Sequence, residues 1–174
     1  VMKFAAEEGA GFDAVCINPG LVIGECLCKA HTKASPVFIR EMLYGNPQPQ
    51  VFFPWVDASE VAAAHHRALA RPEAAGQRFI VVGDSSSRPE VAAGKLRELY
   101  PTYKIENIDL PWWKRLLMPL LAWTYDAQTV QGEMHLSNAK SKAVLGLQYT
   151  PLEESLRRTV DSMVTPGWVK PRVQ

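Results

Sequence analysis

Cysteine is scarce in this chain and odd in number: three in 174 residues, with Cys26 and Cys28 close together. That count gives no disulfide framework and suits a reducing compartment, so the expected location is cytoplasmic. An excess of one charge is missing as well. With 19 Lys and Arg against 18 Asp and Glu, the formal net charge is +1 and no basic stripe exists, which argues against a nucleic-acid partner and for small-molecule chemistry. There is no long apolar run either. The strongest, Leu116 to Trp123, is too short to span a bilayer and contains Pro119. No secretion signal opens the chain, although a missing front end would hide one. Nucleophile elbow, P-loop, paired carboxylates and a full dinucleotide fingerprint are all absent, so the chain taken alone lacks catalytic machinery.

What is present fits one globular core, with 47% hydrophobic and 21% charged residues. Val1 to Gly9 reads as the end of a helix with no Ser, Thr, Asp or Asn ahead of it to satisfy the first-turn amides, so the chain is expected to be the back portion of a longer protein. From Phe12 to Asn18 a compact apolar run, Ala14-Val15-Cys16-Ile17, predicts a strand buried on both faces of a parallel sheet. Ser35-Pro36 opens a predicted helix that Gly45 and Asn46 close. Val51 to Trp55 predicts a short strand, and Asp57-Ala58-Ser59-Glu60 a capping box leading an alanine-rich helix to Arg71-Pro72. Gln77 to Val82 is a second expected strand. Pro89 to Tyr100 has a helical period with Val91, Leu96 and Leu99 inward, and Pro101 stops it. Leu110 to Tyr125 is rich in aromatics and leucine. Ser137 is placed to cap a helix ending at Leu145-Gly146, and Thr150-Pro151-Leu152-Glu153 to open a last helix to about Val164. The tail from Thr165 to Gln174 looks loosely ordered. The fold class is α/β.

The loop Pro19 to Gly24 leaves the carboxyl end of a buried strand, where open α/β sheets bind ligands. Proline fixes its own φ and lacks an N–H, while Gly20 and Gly24 have no side chain to hold a flat ring off the peptide plane. The same residues also read as an ordinary strand-ending turn. Tyr100 and Lys104 have the Tyr-x-x-x-Lys spacing of a catalytic pair, but Pro101 turns Tyr100 away from helical ψ, so the two do not stack one turn apart. Cys26, Cys28 and His31 make an incomplete tetrahedral set, and His65 and His66 point about 100° apart on a helix, so no metal centre is expected. The Trp112-Trp113 to Trp123 stretch reads first as core packing, then as the wall of an apolar substrate site, then as a surface resting on a membrane.

Five segments in order carry a family resemblance. They are Phe4-Ala5-Ala6-Glu7-Glu8 with Phe12-Asp13-Ala14-Val15; Asn18-Pro19-Gly20-Leu21-Val22-Ile23-Gly24; Phe53-Pro54-Trp55-Val56-Asp57-Ala58-Ser59-Glu60-Val61-Ala62; Tyr100-Pro101 with Tyr103-Lys104-Ile105; and Ser137-Asn138-Ala139-Lys140 through Pro151-Leu152-Glu153-Glu154-Ser155. The pattern resembles the carboxyl-terminal part of extended short-chain dehydrogenases/reductases, in the NAD-dependent epimerase/dehydratase superfamily and specifically its dihydroflavonol reductase and cinnamoyl-CoA reductase group. The resemblance implies the last strands and helices of an NAD(P)-binding Rossmann-type fold plus the smaller carboxyl-terminal substrate-binding domain. Residues 1–24 would end the dinucleotide-binding domain, residues 25–165 would be mainly substrate-binding with return strands to the Rossmann sheet, and residues 166–174 would be a tail.

The implied parent is an oxidoreductase in which hydride passes from NADPH or NADH to a small-molecule carbonyl and a tyrosine donates the proton. The resemblance places that tyrosine, its lysine and the glycine-rich loop ahead of Val1, so these 174 residues alone are expected to be inactive and to need the amino-terminal half of the domain. Pro19, Gly20, Leu21 and Val22 would line the nicotinamide, Ser35 would meet the cofactor, and residues 25–42 and those around Trp112 would shape the substrate pocket. Ala58-Ser59-Glu60 departs from the family pattern. The aromatic 110–125 segment is similar to sterol-type 3β-hydroxysteroid dehydrogenases and leaves room for peripheral membrane contact. A nucleotide-sugar epimerase or dehydratase is the alternative within the superfamily, and a non-catalytic binding module the alternative outside it.

Overall fold

The first strand of the parallel pairs, β1 (Cys16–Pro19), runs beside β4 (Arg78–Val81), with Ile17 opposite Phe79. The chain then shifts partners. β2 (Leu21–Ile23) lies parallel to β3 (Phe53–Asp57), and β5 (Ser86–Ser87) pairs antiparallel with the start of β3. This arrangement is given by a computed structural model that describes residues 2–5, 11–48, 51–84, 86–105 and 135–174. The helices are α1 (Met2–Ala5), α2 (Val37–Leu43), α3 (Ala58–Ala70), α4 (Pro89–Leu99), α5 (Ala139–Leu145) and α6 (Leu152–Val164), with single 3-10 turns at Lys29–Lys33 and Pro72–Ala74. The aromatic segment from Leu110 to Tyr125 lies outside the described residues.

Strand β3 divides the interior. Because side chains alternate along a strand, Phe53 and Trp55 enter one core with Met42, Leu96, Leu156 and Met163, while Val56 enters a second with Phe79, Val81 and Leu145. Each fully buried Leu, Met or Phe in these cores contributes roughly 1.5–3 kcal/mol. The expected capping box at Asp57 forms in both directions: Asp57 accepts from Ser59, and Glu60 accepts from the Asp57 N–H. Gly45 at φ 69° and Gly146 at φ 64° end α2 and α5 in the left-handed region that glycine enters without strain.

Several local expectations need correction. β1 is half-buried, not buried on both faces, because β4 is its one partner among the described residues. Ser35 does not cap α2; Pro36 occupies the cap position with no side-chain hydrogen bond. The Thr150 capping box is also missing, because the Thr150 N–H is taken by the carboxylate of Glu60 from another helix. Val91 is 49% exposed, and Ala92, Ala93 and Leu96 form the inward face of α4 instead. The segment 21–23, read as loop, is a strand.

The tail is the largest departure. Its backbone is stitched to the body by Arg172 N–H to the Leu43 carbonyl at 3.1 Å, Lys104 N–H to the Arg172 carbonyl at 2.7 Å and Gln174 N–H to the Thr102 carbonyl at 3.1 Å. Val169 sits in the first core at 1% exposure. Proline-containing sequence looked loose because the partners of Arg172 and Gln174 are more than 60 residues away, beyond the reach of local reading.

Candidate functional site

Two glycines mark where the strand pairs exchange partners. The Gly20 N–H donates to the Val81 carbonyl at 3.0 Å, continuing the β1–β4 ladder by one bond, and the Gly83 N–H donates to the Trp55 carbonyl at 2.7 Å. A Cβ on Gly20 would lie 2.0 Å from the Pro54 carbonyl oxygen, and one on Gly83 would lie 2.9 Å from that of Trp55. Glycine is therefore required at position 20 by the crossing of two backbones, and the space beside its Cα is already filled by protein. Pro19 is exposed just before this crossing. Leu21 then packs toward the first core and Val22 toward the second, as strand alternation demands.

Beyond β2 the chain turns at Gly24, whose φ of 121° and whose approach to Asp57 both favour glycine; a Cβ there would meet Asp57 Oδ1 at 3.0 Å. The turn opens a recess of about 170 Å³ at the carboxyl ends of β2 and β3. Val22, Cys26, His31, Ser35 and Pro36 are among its walls. Of the residues singled out from sequence, Val22 and Ser35 are brought together here; Pro19, Gly20 and Leu21 do not line the recess. His31 Nδ1 accepts the Leu27 N–H at 3.2 Å, which closes the loop on itself. Burial raises the pKa of the Cys26 thiol, with Ser162 opposing and Cys28 reinforcing the shift, so Cys26 stays protonated near neutrality.

The loop is held from behind by α6. The Gly24 N–H donates to Thr159 Oγ1 at 2.7 Å, and the Cys26 N–H donates to Ser162 Oγ at 2.8 Å. Sequence reasoning passed over both hydroxyls. A signal was there: Ser155 and Thr159 interrupt the otherwise apolar buried face of α6, made by Leu152, Leu156, Val160 and Met163.

A wider cleft of about 580 Å³ lies beside the same loop, between the amino end of α3 and α6, lined by Glu25, Asp57, Ser59, Arg157, Arg158 and Asp161 among others. Its cations are already engaged, since Glu154 binds Arg157 at 2.6 Å and Arg158 at 3.0 Å. Three lining carboxylates, Glu25, Asp57 and Asp161, outnumber the two guanidiniums, a charge balance that does not favour a phosphate. Asp57 Oδ2 is buried without a hydrogen-bond partner among the described residues, while Oδ1 takes both the N–H and the hydroxyl of Ser59.

Tyr100 sits just past α4 with φ −129° and ψ 68°, outside helical geometry, so no Tyr-Lys pair stacks on one helix face. Its ring lies over Tyr103 with centroids 5.1 Å apart, and its hydroxyl donates to Asp161 Oδ1 at 2.6 Å. Burial and that carboxylate push its pKa far above the ordinary phenol value. His65 is exposed and lies back along its own helix, with Nδ1 2.8 Å from the Val61 carbonyl. Among the described residues no helix is long and apolar enough to cross a membrane.

No family model matches the chain. Among curated proteins it is 30% identical over 173 residues to a cinnamoyl-CoA reductase of Medicago truncatula, covering 94% of this chain and 47% of that protein. A ketoreductase of Aspergillus niger is 28% identical over 172 residues, covering 92% and 46%. The chain thus spans about half the length of the curated relatives it matches. Among solved structures, Gre2 of Candida albicans in complex with NADPH superposes with a TM-score of 0.70 at 22% identity, covering 93% of this chain and 46% of that one, which is a likeness of fold. The α/β arrangement with parallel strands is accordingly part of a Rossmann-type fold. In sequence and fold, the chain matches the carboxyl-terminal part of the extended short-chain dehydrogenases/reductases, in their cinnamoyl-CoA reductase and ketoreductase group.

Proposed function

We propose that this chain supplies one wall of the cofactor and substrate cleft of an NADP- or NAD-dependent reductase of small-molecule carbonyl compounds. The observation that carries the reading is the meeting of Val22, from β2, and Ser35, from the turn before α2, in one recess at the carboxyl ends of a parallel strand pair. Relatives named as reductases align along nearly the whole chain. When bound, the nicotinamide supplies the hydride. The chain's own part is to bind and orient: Val22 and Ser35 at the recess, with Pro19, Gly20 and Leu21 on the approach to it. Gly20 contributes through its backbone, since the space beside its Cα belongs to Pro54.

Residues 1–24 are read as belonging to the dinucleotide-binding part and residues 25–165 mainly to the substrate-binding part. Proton transfer is assigned to no residue here, because the one Tyr-x-x-x-Lys match, Tyr100 to Lys104, does not lie on a helix face. The recess fits a small polar head group: its walls combine the apolar Val22 and Pro36 with Ser35, whose side chain caps no helix and so is free to meet a ligand amide. Titration of the protein with NADPH, followed by amide NMR, tests this. Shifts concentrated at the amides of residues 20–24 and of Ser35 are expected, with no NADPH oxidation when aldehydes or dihydroflavonols are added. Shifts confined to other surfaces, or turnover by these 174 residues, would overturn the assignment.

A further inference from the structure

We propose that Thr159 and Ser162 of α6 are positioning residues for the recess, fixing the path of Gly24 to Cys26 and through it the shape of the ligand site. The inference rests on the reading above for the identity of the ligand, and on hydrogen-bond geometry for the rest. Gly24 and Cys26 are two residues apart in the turn that follows β2, and neither of their N–H groups goes to a strand. A helix receives them instead. Thr159 and Ser162 are three residues apart on α6, hence neighbours on one face, and each accepts one of these amides.

The direction of each bond is fixed by the helix itself. A hydroxyl has one proton, and both are already donated within α6: Thr159 Oγ1 to the Ser155 carbonyl at 2.6 Å, and Ser162 Oγ to the Thr159 carbonyl at 2.9 Å. Each oxygen therefore faces the loop purely as an acceptor. Thr159 is completely buried between Leu156 and Val160 on the core face, where a valine of the same shape would pack as well. What threonine adds is the acceptor. The amides it and Ser162 hold belong to residues that line the recess, so a change in α6 reaches the ligand through two hydrogen bonds.

The test compares Thr159→Val, Thr159→Ser and Ser162→Ala with the parent chain, by amide hydrogen exchange and by the NADPH dissociation constant. Thr159→Val is expected to speed exchange at Gly24 about fivefold or more beyond any change at core amides such as Phe79, and to weaken NADPH binding by a similar factor. Ser162→Ala should do the same at Cys26. Thr159→Ser, which restores the acceptor but not the methyl, should recover both Gly24 protection and affinity even if the fold is less stable. Unchanged exchange at Gly24, a uniform rise at all amides, or faster exchange with unaltered affinity would each overturn the proposal. Should the parent chain take up no NADPH, the proposed cofactor role falls, while exchange at Gly24 still reports separately whether the hydroxyl holds the loop.

Discussion

Glu60 and Thr150, separated by 90 positions, are joined directly: one carboxylate oxygen of the buried Glu60 accepts the Thr150 N–H. The other accepts the Asp57 N–H at 3.1 Å. The side chain thus starts α3 and fixes the approach to α6 at once. Replacing it by alanine would strand two amides away from water, so Glu60→Ala is expected to lower unfolding free energy by roughly 2–4 kcal/mol. Glu60→Gln would turn an amide NH2 toward one of those N–H groups and should also destabilise. Urea midpoints within error of the parent for both variants would refute the dual role.

Gly20 and Gly76 are glycines for different reasons, and their alanine variants should separate. Gly20 lacks a positive φ but has a carbonyl oxygen where Cβ would go; Gly76 has φ 69° and open space around it. Gly76→Ala is expected to cost about 1 kcal/mol of left-handed strain. Gly20→Ala must push the two strand pairs apart, at roughly 3 kcal/mol or more. Thermal melts giving equal losses would contradict the crossing described here.

The raised pKa of Tyr100 makes a prediction about alkaline pH. Burial first, and then the hydrogen bond to Asp161, favour the neutral phenol in the folded state. The folded form therefore holds the proton more tightly than the unfolded form, whose tyrosine titrates near 10, so the stability Tyr100 contributes is whole below about pH 10 and is lost as pH rises above it. The difference in urea midpoint between the parent and Tyr100→Phe should shrink between pH 9 and 11. A gap that stays constant, or widens, would show that the phenol is not so held.

Thiol reactivity should follow exposure and burial along one short loop. Cys28 is exposed, whereas Cys26 is buried and its thiol pKa is raised. Iodoacetamide labelling read by mass spectrometry is expected to modify Cys28 well before Cys26, with Cys26 gaining on it only at pH values above the ordinary thiol range. Equal rates at neutral pH would mean that the loop does not sit against α6.

Legibility in the sequence divided along the range of the forces involved. The Asp57 capping box, the glycine stops at Gly45 and Gly146 and the span of α6 were all readable, because each is decided within a few residues. Ser35 and Thr150 have the residue type of a cap yet make none, since the first turn of α2 begins one position later and Thr150 has a stronger partner in Glu60. At the candidate site, the sequence points to Val22 and Ser35, which line the recess, and equally to Pro19, Gly20 and Leu21, which do not; the reason for Gly20 depends on Pro54, brought in by strand pairing. Thr159 and Ser162 went unnoticed because a hydroxyl on a buried helix face has meaning only when the amide opposite it is known.

The stitched tail bears on how the protein is made. Met42 and Leu43 come well before the residues that complete their core, Leu156, Met163 and Val169, and the Leu43 carbonyl accepts the Arg172 N–H. During synthesis from the amino end, α2 therefore leaves the ribosome long before the α6 residues and Val169 that cover it. A nascent chain stalled between the two would present that apolar surface of α2 to chaperones and proteases.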